Sequence, residues 1–260
     1  MTPPAHISSR DNPLLKELRK LAQGNTAYRQ QGRVWLEGDH LCRAAMARGV
    51  IPVLAVFSES NWPETPYRKA WTAIKTIVIS DKLFNEISGL ESPSNMGCVM
   101  ALPLNAQLQP NSATVILDRV QDAGNVGSIL RSAAAFGVKQ VLALKGTAAL
   151  WSPKVIRAGM GAHFGLHLVE GLELADLEPL AVPILVTSSH HGNLLQDTAL
   201  PNPCAWVLGH EGQGISDGLM ARASLSVRIG QPGGEESLNV AAAAAICLHA
   251  SSVGLRPVAV

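Results

Sequence analysis

ILDRVQDAGNVGSILRSAAAFGV (residues 116–138) decides how the rest of this chain is read. The apolar run Val115, Ile116, Leu117 stops at Asp118, a polar loop containing glycine follows, and an alanine-rich helix opens after Asn125. Strand, loop and helix in one short segment place a loop at the end of a strand. Asn125 is expected to cap the helix through its side-chain oxygen and Gly137 to end it in a left-handed conformation. Ile129, Ala133 and Phe136 then recur on one buried face. Arg131 falls off that face, less than two turns beyond Asn125. The pair can offer an amide and a fixed positive charge to an anionic or hydroxyl-bearing ligand. Taken alone, the same residues also fit a plain cap and a solvated charge.

Working outward, 260 residues allow either two domains or one large α/β domain, and 47% apolar residues supply a sizeable core. No run of eighteen or more apolar residues occurs, and MTPPAHISSRDN lacks a charged flank followed by an apolar segment. The expectation is a soluble, cytoplasmic protein with neither a membrane span nor a secretory signal. Cys42, Cys98, Cys204 and Cys247 lie far apart, with no partner at zinc-ligand spacing, so buried reduced thiols and no metal site are expected.

The net charge of +1 hides an asymmetry: residues 1–103 hold 12 Lys and Arg against 9 Asp and Glu, whereas 104–260 hold 9 against 11. The excess is densest in residues 1–50, where Arg10, Lys16, Arg19 and Arg33 are placed to neutralise phosphates of a partner. A solvated helix face has the same composition. Asn12 and Pro13 read as a helix start. Leu14, Leu15, Leu18 and Leu21 alternate with Lys16, Arg19 and Lys20, which makes an amphipathic helix whose basic face is free to meet a partner. Strands are expected at 34–36, 51–57 and 96–102, helices at 40–47 and 81–89, and helix running into strand over 71–80. This reads as a small α/β sandwich. PLNAQLQPNS (103–112), with two prolines and little periodicity, separates it as a linker over 104–112, so that the domains are 1–103 and 113–260.

Beyond the linker, further strands are expected at 141–144, 166–169, 184–188, 206–208 and 227–229, with a helix after Ser152 and Pro153 carrying Lys154 and Arg157 and a last helix over 238–252. Strand and helix alternate, which gives a largely parallel sheet. Two of the loops resemble the first in design. WVLGHEGQGIS (206–216) sets Gly209, Gly212 and Gly214 directly after an apolar strand, with Glu211 between them; the backbone there can run close to a ligand. His210 and Glu211 do not start a zinc-protease motif, because position 214 is glycine rather than histidine. IGQPGGEESLNVAAAAAICLHAS (229–251) has a turn at Pro232, Gly233 and Gly234, acidic residues at 235 and 236 suited to a helix start, and Ser237 with Asn239 at the first turn. Ser237 reads as a capping residue or a ligand contact. Five alanines, 241–245, leave that helix thin enough for close packing.

No GxGxxG follows a strand, and neither GxxxxGK[ST] nor GxSxG occurs, which removes the main support for dinucleotide, P-loop and α/β-hydrolase readings. Taken together, the three loops resemble the SpoU (TrmH) family of the SPOUT superfamily, RNA ribose 2'-O-methyltransferases. The matching residues are Asn125, Gly127, Arg131 and Ser132; the Gly-x-Glu-Gly-x-Gly run 209–214; and Ser-Leu-Asn-Val at 237–240. SSRDNPLLKELRKL and VWLEGDHL resemble the opening of the small substrate-binding domain, related to a ribosomal protein fold, that many members carry in front.

The resemblance implies a trefoil-knotted, mainly parallel sheet binding S-adenosylmethionine, a homodimer packed through helices beside the knot, and RNA as substrate. Carried over by position, Arg131 matches the catalytic arginine, Asn125 and Glu211 match polar active-site residues, and Ser237 and Asn239 match residues that position the substrate and the arginine. Gly209, Ile229 and Leu238, with Thr187 beside them, match cofactor contacts. The turn 231–236 is longer than the family's. Ribosomal RNA is favoured over transfer RNA by the likeness of the front domain. A catalytically inactive RNA-binding member stays open as an alternative, as does a small-molecule α/β enzyme, which would have no use for a basic front domain.

Overall fold

The computed structural model describes residues 3–63, 65–67, 71, 74–102, 106–188, 192–233 and 237–253. The chain divides into two units, Met1–Asn105 with Trp151–Phe164, and Ala106–Leu150 with Gly165–Val260.

In the first unit, β1 (Ala5–Ile7) precedes α1 (Pro13–Gln23), whose start is as expected: Asn12 Oδ1 accepts the Leu14 N–H at 2.9 Å and Pro13 occupies the first turn. Leu15, Leu18 and Leu21 are buried on one face. Then come α2 (Ala27–Gln31), β2 (Arg33–Glu37), α3 (Asp39–Ala47), β3 (Leu54–Ser58), β4 (Thr76–Ile79), α4 (Asp81–Ile87) and β5 (Met96–Ala101). Of the helical part expected before β4, residues 72 and 73 lie outside the described residues, while Trp71, Ile74 and Lys75 are in turn or irregular backbone. The sheet order is β1-β4-β3-β5-β2, parallel across β1, β4 and β3 and antiparallel at β5. The strand expected from residue 51 begins only at Leu54. Pro52 has no N–H for a ladder, and Ile51 and Val53 are exposed.

The second unit holds β6 (Thr114–Asp118), α5 (Ala123–Ala135) and β7 (Gln140–Leu144). Helix α6 (Pro153–Gly159) then belongs to the first unit, where Arg157 Nη1 donates to the Gly89 carbonyl at 3.1 Å. The chain returns with β8 (His167–Leu172), β9 (Ile184–Thr187), β10 (Asn193–Leu194), β11 (Ala205–Gly209), α7 (Asp217–Met220), β12 (Leu225–Arg228) and α8 (Val240–Ser252). All pairings in the sheet β10-β12-β9-β11-β6-β7-β8 are parallel. Every residue of β6 and β7 is buried, as a sheet covered on both faces requires. Helix α5 packs on α8, and α8 lies on β11, where the Trp206 indole N–H donates to Ser251 Oγ at 2.8 Å.

Residues 106–112, read from sequence as linker, are tied into this unit. Gln140, fully buried, donates to the Gln109 carbonyl at 2.7 Å and to Thr114 Oγ1 at 2.8 Å, and accepts from the Gln109 N–H at 3.0 Å. Ala106 and Leu108 pack against the apolar core. All four cysteines are buried with free thiols. No helix of the described residues is long and apolar enough to cross a membrane.

Candidate active site

Strands β12, β9, β11 and β6 are neighbours and all run the same way, so their C-terminal ends form one edge. Thr187 closes β9, opposite Val227 of β12; Gly209 closes β11, opposite Asp118 of β6; Ile229 follows β12 directly. Ligands of open parallel sheets bind at such an edge. A Cβ on Gly209 would sit 2.5 Å from the Gly214 carbonyl carbon and the Ile215 nitrogen, so only glycine allows the loop 209–216 to fold back on its own strand.

Asp122, not Asn125, caps α5: its Oδ1 accepts the Asn125 N–H at 2.7 Å and the helix begins at Ala123. Asn125 sits inside the first turn with its side chain free for other work. Its Nδ2 donates to Glu211 Oε1 at 3.0 Å, and its Oδ1 accepts from Asn239 Nδ2 at 3.0 Å. Glu211 also accepts the backbone N–H groups of Gln121 and Asp122, each at 3.3 Å. Burial works against charge on this carboxyl, but the bonds from Asn125 and from main-chain N–H groups outweigh it, so its pKa lies below the ordinary glutamate value. Asn239 is the cap of α8, and its Oδ1 accepts from Ala241 N at 2.9 Å and Ala242 N at 3.3 Å.

One residue from each of the three loops is thus joined in a line, Asn239 to Asn125 to Glu211. Ser237, read as a possible cap, is not one; it is exposed two residues ahead of Asn239, and α8 starts at Val240 rather than at 238. Gly234, Glu235 and Glu236 of the preceding turn lie outside the described residues. Leu238 is exposed. The Arg131 side chain is exposed on the last half of α5, without a hydrogen bond or ion pair to another described residue. Gly137 ends that helix with φ at +82°, as expected.

Sequence reading passed over a second network here. Asp118, buried at the end of β6, accepts the Ser216 N–H at 2.6 Å and the Arg119 Nε–H at 3.0 Å. Arg119 continues to Gln213 Oε1 at 2.8 Å. The available signal was the abrupt stop of an apolar strand at a carboxylate followed by a cation. His210 adds to the loop: its Nδ1 accepts the N–H groups of Gly212 and Gln213 at 2.9 and 3.1 Å.

In the first unit the four candidate RNA-contact residues are each in an ion pair. Arg10 and Arg19 both pair with Glu86, at 2.8 and 3.3 Å, Lys16 pairs with Asp11 at 3.1 Å and Arg33 with Glu17 at 3.5 Å. Arg19 also donates to the Glu86 carbonyl at 3.2 Å, which fastens α1 to α4. Among the described residues, no group of three or more His, Cys, Asp or Glu could hold a metal ion.

The fold is shared with proteins of known structure described as RNA methyltransferases. One such structure, from Porphyromonas gingivalis and assigned to the TrmH family of RNA methyltransferases, superposes with a TM-score of 0.79 at 29% identity, over 92% of this chain and 97% of that one. The chain belongs to the SpoU rRNA methylase family, whose model matches residues 112–249; an MRM3-like substrate-binding domain model matches residues 12–97. An uncharacterized tRNA/rRNA methyltransferase of Synechocystis is 30% identical over 94% of this chain and 92% of its own length. The 23S rRNA (guanosine(2553)-2'-O)-methyltransferase RlmP of Bacillus subtilis is 28% identical, over 94% and 97%.

Proposed function

We propose that this protein transfers the methyl group of S-adenosylmethionine to a ribose 2'-hydroxyl of RNA, ribosomal RNA in particular. The observation that carries this reading is the hydrogen-bonded line Asn239, Asn125, Glu211, which gathers three loops at the edge of the parallel sheet. The residues present suit the methyl donor. Among the described residues, Ser226 Oγ and Gln231 Oε1 are buried without a hydrogen-bond partner beside the end of β12, while exposed Leu238 offers an apolar contact. Thr187, Gly209, Ile229 and Leu238 would hold it. When bound, its sulfonium supplies an electrophilic methyl group.

Alignment of hydroxyl, methyl and sulfur supplies much of the acceleration, so the protein's task is placement. Arg131 orients the hydroxyl or a neighbouring phosphate and stabilises developing alkoxide charge; a guanidinium is a poor base. Glu211 is occupied by three donors and serves to hold Asn125, so the proton passes to another oxygen or to water. Ser237 and Asn239 position substrate and arginine.

Front-unit contacts to RNA run through Arg10, Lys16 and Arg33, with Arg19 holding the helix. Their ion pairs lie at the surface and are weakened by solvent screening, so RNA phosphates can displace them. The protein acts in the cytoplasm as a homodimer packed through the alanine-rich α8, which leaves Ile246 exposed, and its second unit carries the trefoil knot of its family.

Mapping ribose methylation in RNA from a deletion strain, paired with transfer by the purified protein, tests the reading. One ribosomal site should lose its methyl group and regain it with the wild-type gene, but not with Arg131→Ala, which should still bind the cofactor. Arg131→Lys should be nearly as inactive, because it lacks the planar fork. Unchanged ribosomal RNA and no transfer in vitro would refute the assignment, and a lost transfer-RNA site would redirect it.

A further inference from the structure

The structure assigns Arg119 as a positioning residue that locks the 209–216 loop so that Glu211 meets Asn125; its catalytic consequence rests on the function proposed above. Arg119 is one of only three non-glycine residues with positive φ among those described, at +60°, a conformation that an arginine adopts at a cost. The surroundings enforce it. Its N–H donates to Thr147 Oγ1 at 3.1 Å, and that hydroxyl donates to the Leu117 carbonyl at 3.0 Å. Across from it stands Gly146, φ +92°, where a Cβ would lie 3.1 Å from Arg119 Cγ.

The strained backbone aims the guanidinium in two directions at once. Nε donates to Asp118 Oδ1 at 3.0 Å, and Nη1 donates to Gln213 Oε1 at 2.8 Å. Asp118 grips the same loop at its far end, because its second oxygen accepts the Ser216 N–H at 2.6 Å. Its carboxylate is almost wholly buried, with Arg119 as its ion-pair partner. Glu211 therefore sits on a loop anchored at 213 and at 216 through one Arg119–Asp118 unit. Everything that Glu211 holds, Asn125 and through it Asn239, inherits that anchoring. A lysine cannot bridge two acceptors set apart this way, since it presents a point charge rather than a fork.

Two variants and two readouts test the clamp. Arg119→Gly removes the fork and relieves the positive φ, and Gln213→Ala removes the shorter of its two loop bonds, at an exposed position, leaving the one from Nη2 to the Gly214 carbonyl at 3.5 Å. With saturating RNA and cofactor, Arg119→Gly should lower kcat about a hundred-fold, the scale of a displaced catalytic group, while KM for RNA changes little; its thermal midpoint should fall, because the buried Asp118 carboxylate loses its partner, whereas that of Gln213→Ala should hold. Gln213→Ala should lower kcat in the same direction by less. In both, hydrogen exchange at amides 210–216 should speed up, and Arg119→Lys should not restore kcat. Wild-type kcat in Arg119→Gly overturns the assignment, as does a fall in kcat with unchanged loop exchange. If Arg119→Gly does not fold, Gln213→Ala decides by the same two readouts. If the wild-type protein transfers no methyl group, the proposed function fails by itself, and loop exchange still decides whether the clamp exists.

Discussion

Asn239 does two jobs with one amide, and two substitutions separate them. Its Oδ1 caps α8 by accepting from Ala241 and Ala242, and its Nδ2 donates to Asn125 at 3.0 Å. Asn239→Ala loses both: the lost cap costs about 1 kcal/mol, a fall of roughly 2–4 °C in thermal midpoint for a domain of this size. Asn239→Asp keeps a capping oxygen and adds negative charge at a helix N-terminus, worth about 0.3–1 kcal/mol in its favour. Its midpoint should match or exceed that of the wild type. The aspartate has no donor for Asn125 Oδ1, however, and if Asn125 turned its amide to face the new carboxylate, it would give up its bond to Glu211. Methyl transfer should therefore fall about a hundred-fold in both variants, the penalty for a misplaced group at a reacting centre. Thermal unfolding and single-turnover transfer of labelled methyl to RNA read the two effects independently. Full turnover by Asn239→Asp would refute the idea that the amide donor matters, and an unshifted midpoint in Asn239→Ala would refute the cap.

Gly209→Ala should destabilise the second unit by about 1–3 kcal/mol and weaken cofactor binding, because the new methyl group would meet backbone atoms 2.5 Å away that have nowhere to move; calorimetry with S-adenosylmethionine reads the second effect. Glu211 has its pKa lowered on folding, so it contributes stability that is complete above its unfolded value and lost as pH falls through the lower folded value. The stability difference between wild type and Glu211→Gln should then stay flat at neutral pH and shrink only below the ordinary glutamate value of 4.5; a difference that grows on acidification would contradict the bonding described.

Local signals were read well where one residue has one competitor. Asn12 followed by Pro13 started a helix where expected, and the leucines at 15, 18 and 21 turned inward. Where two capping residues stand close together, sequence could not choose. Asp122 and Asn125 are both strong caps three residues apart, and the structure uses Asp122, which releases the Asn125 amide for Glu211. Ser237 and Asn239 posed the same ambiguity, resolved in favour of Asn239. The short strands β1 and β10, with three and two residues, carry too little pattern to be seen. The basic face of α1 looked free because Glu86, which pairs with Arg19 and with Arg10 ahead of the helix, lies 67 residues from Arg19.

By itself, the sequence determined that apolar strands give way to glycine-bearing loops and then to helices, since strand runs, caps and turn residues act over a few neighbours. It also carried the three loops whose order marks the family. Only the tertiary structure decided that these loops meet. Asn125 lies 86 residues from Glu211 and 114 from Asn239, and they are joined because the parallel sheet sets β9, β11 and β6 side by side out of chain order. No local preference encodes such a pairing: closing loops of that length costs entropy that packing of the whole sheet repays, and the Arg119 clamp exists only once it has.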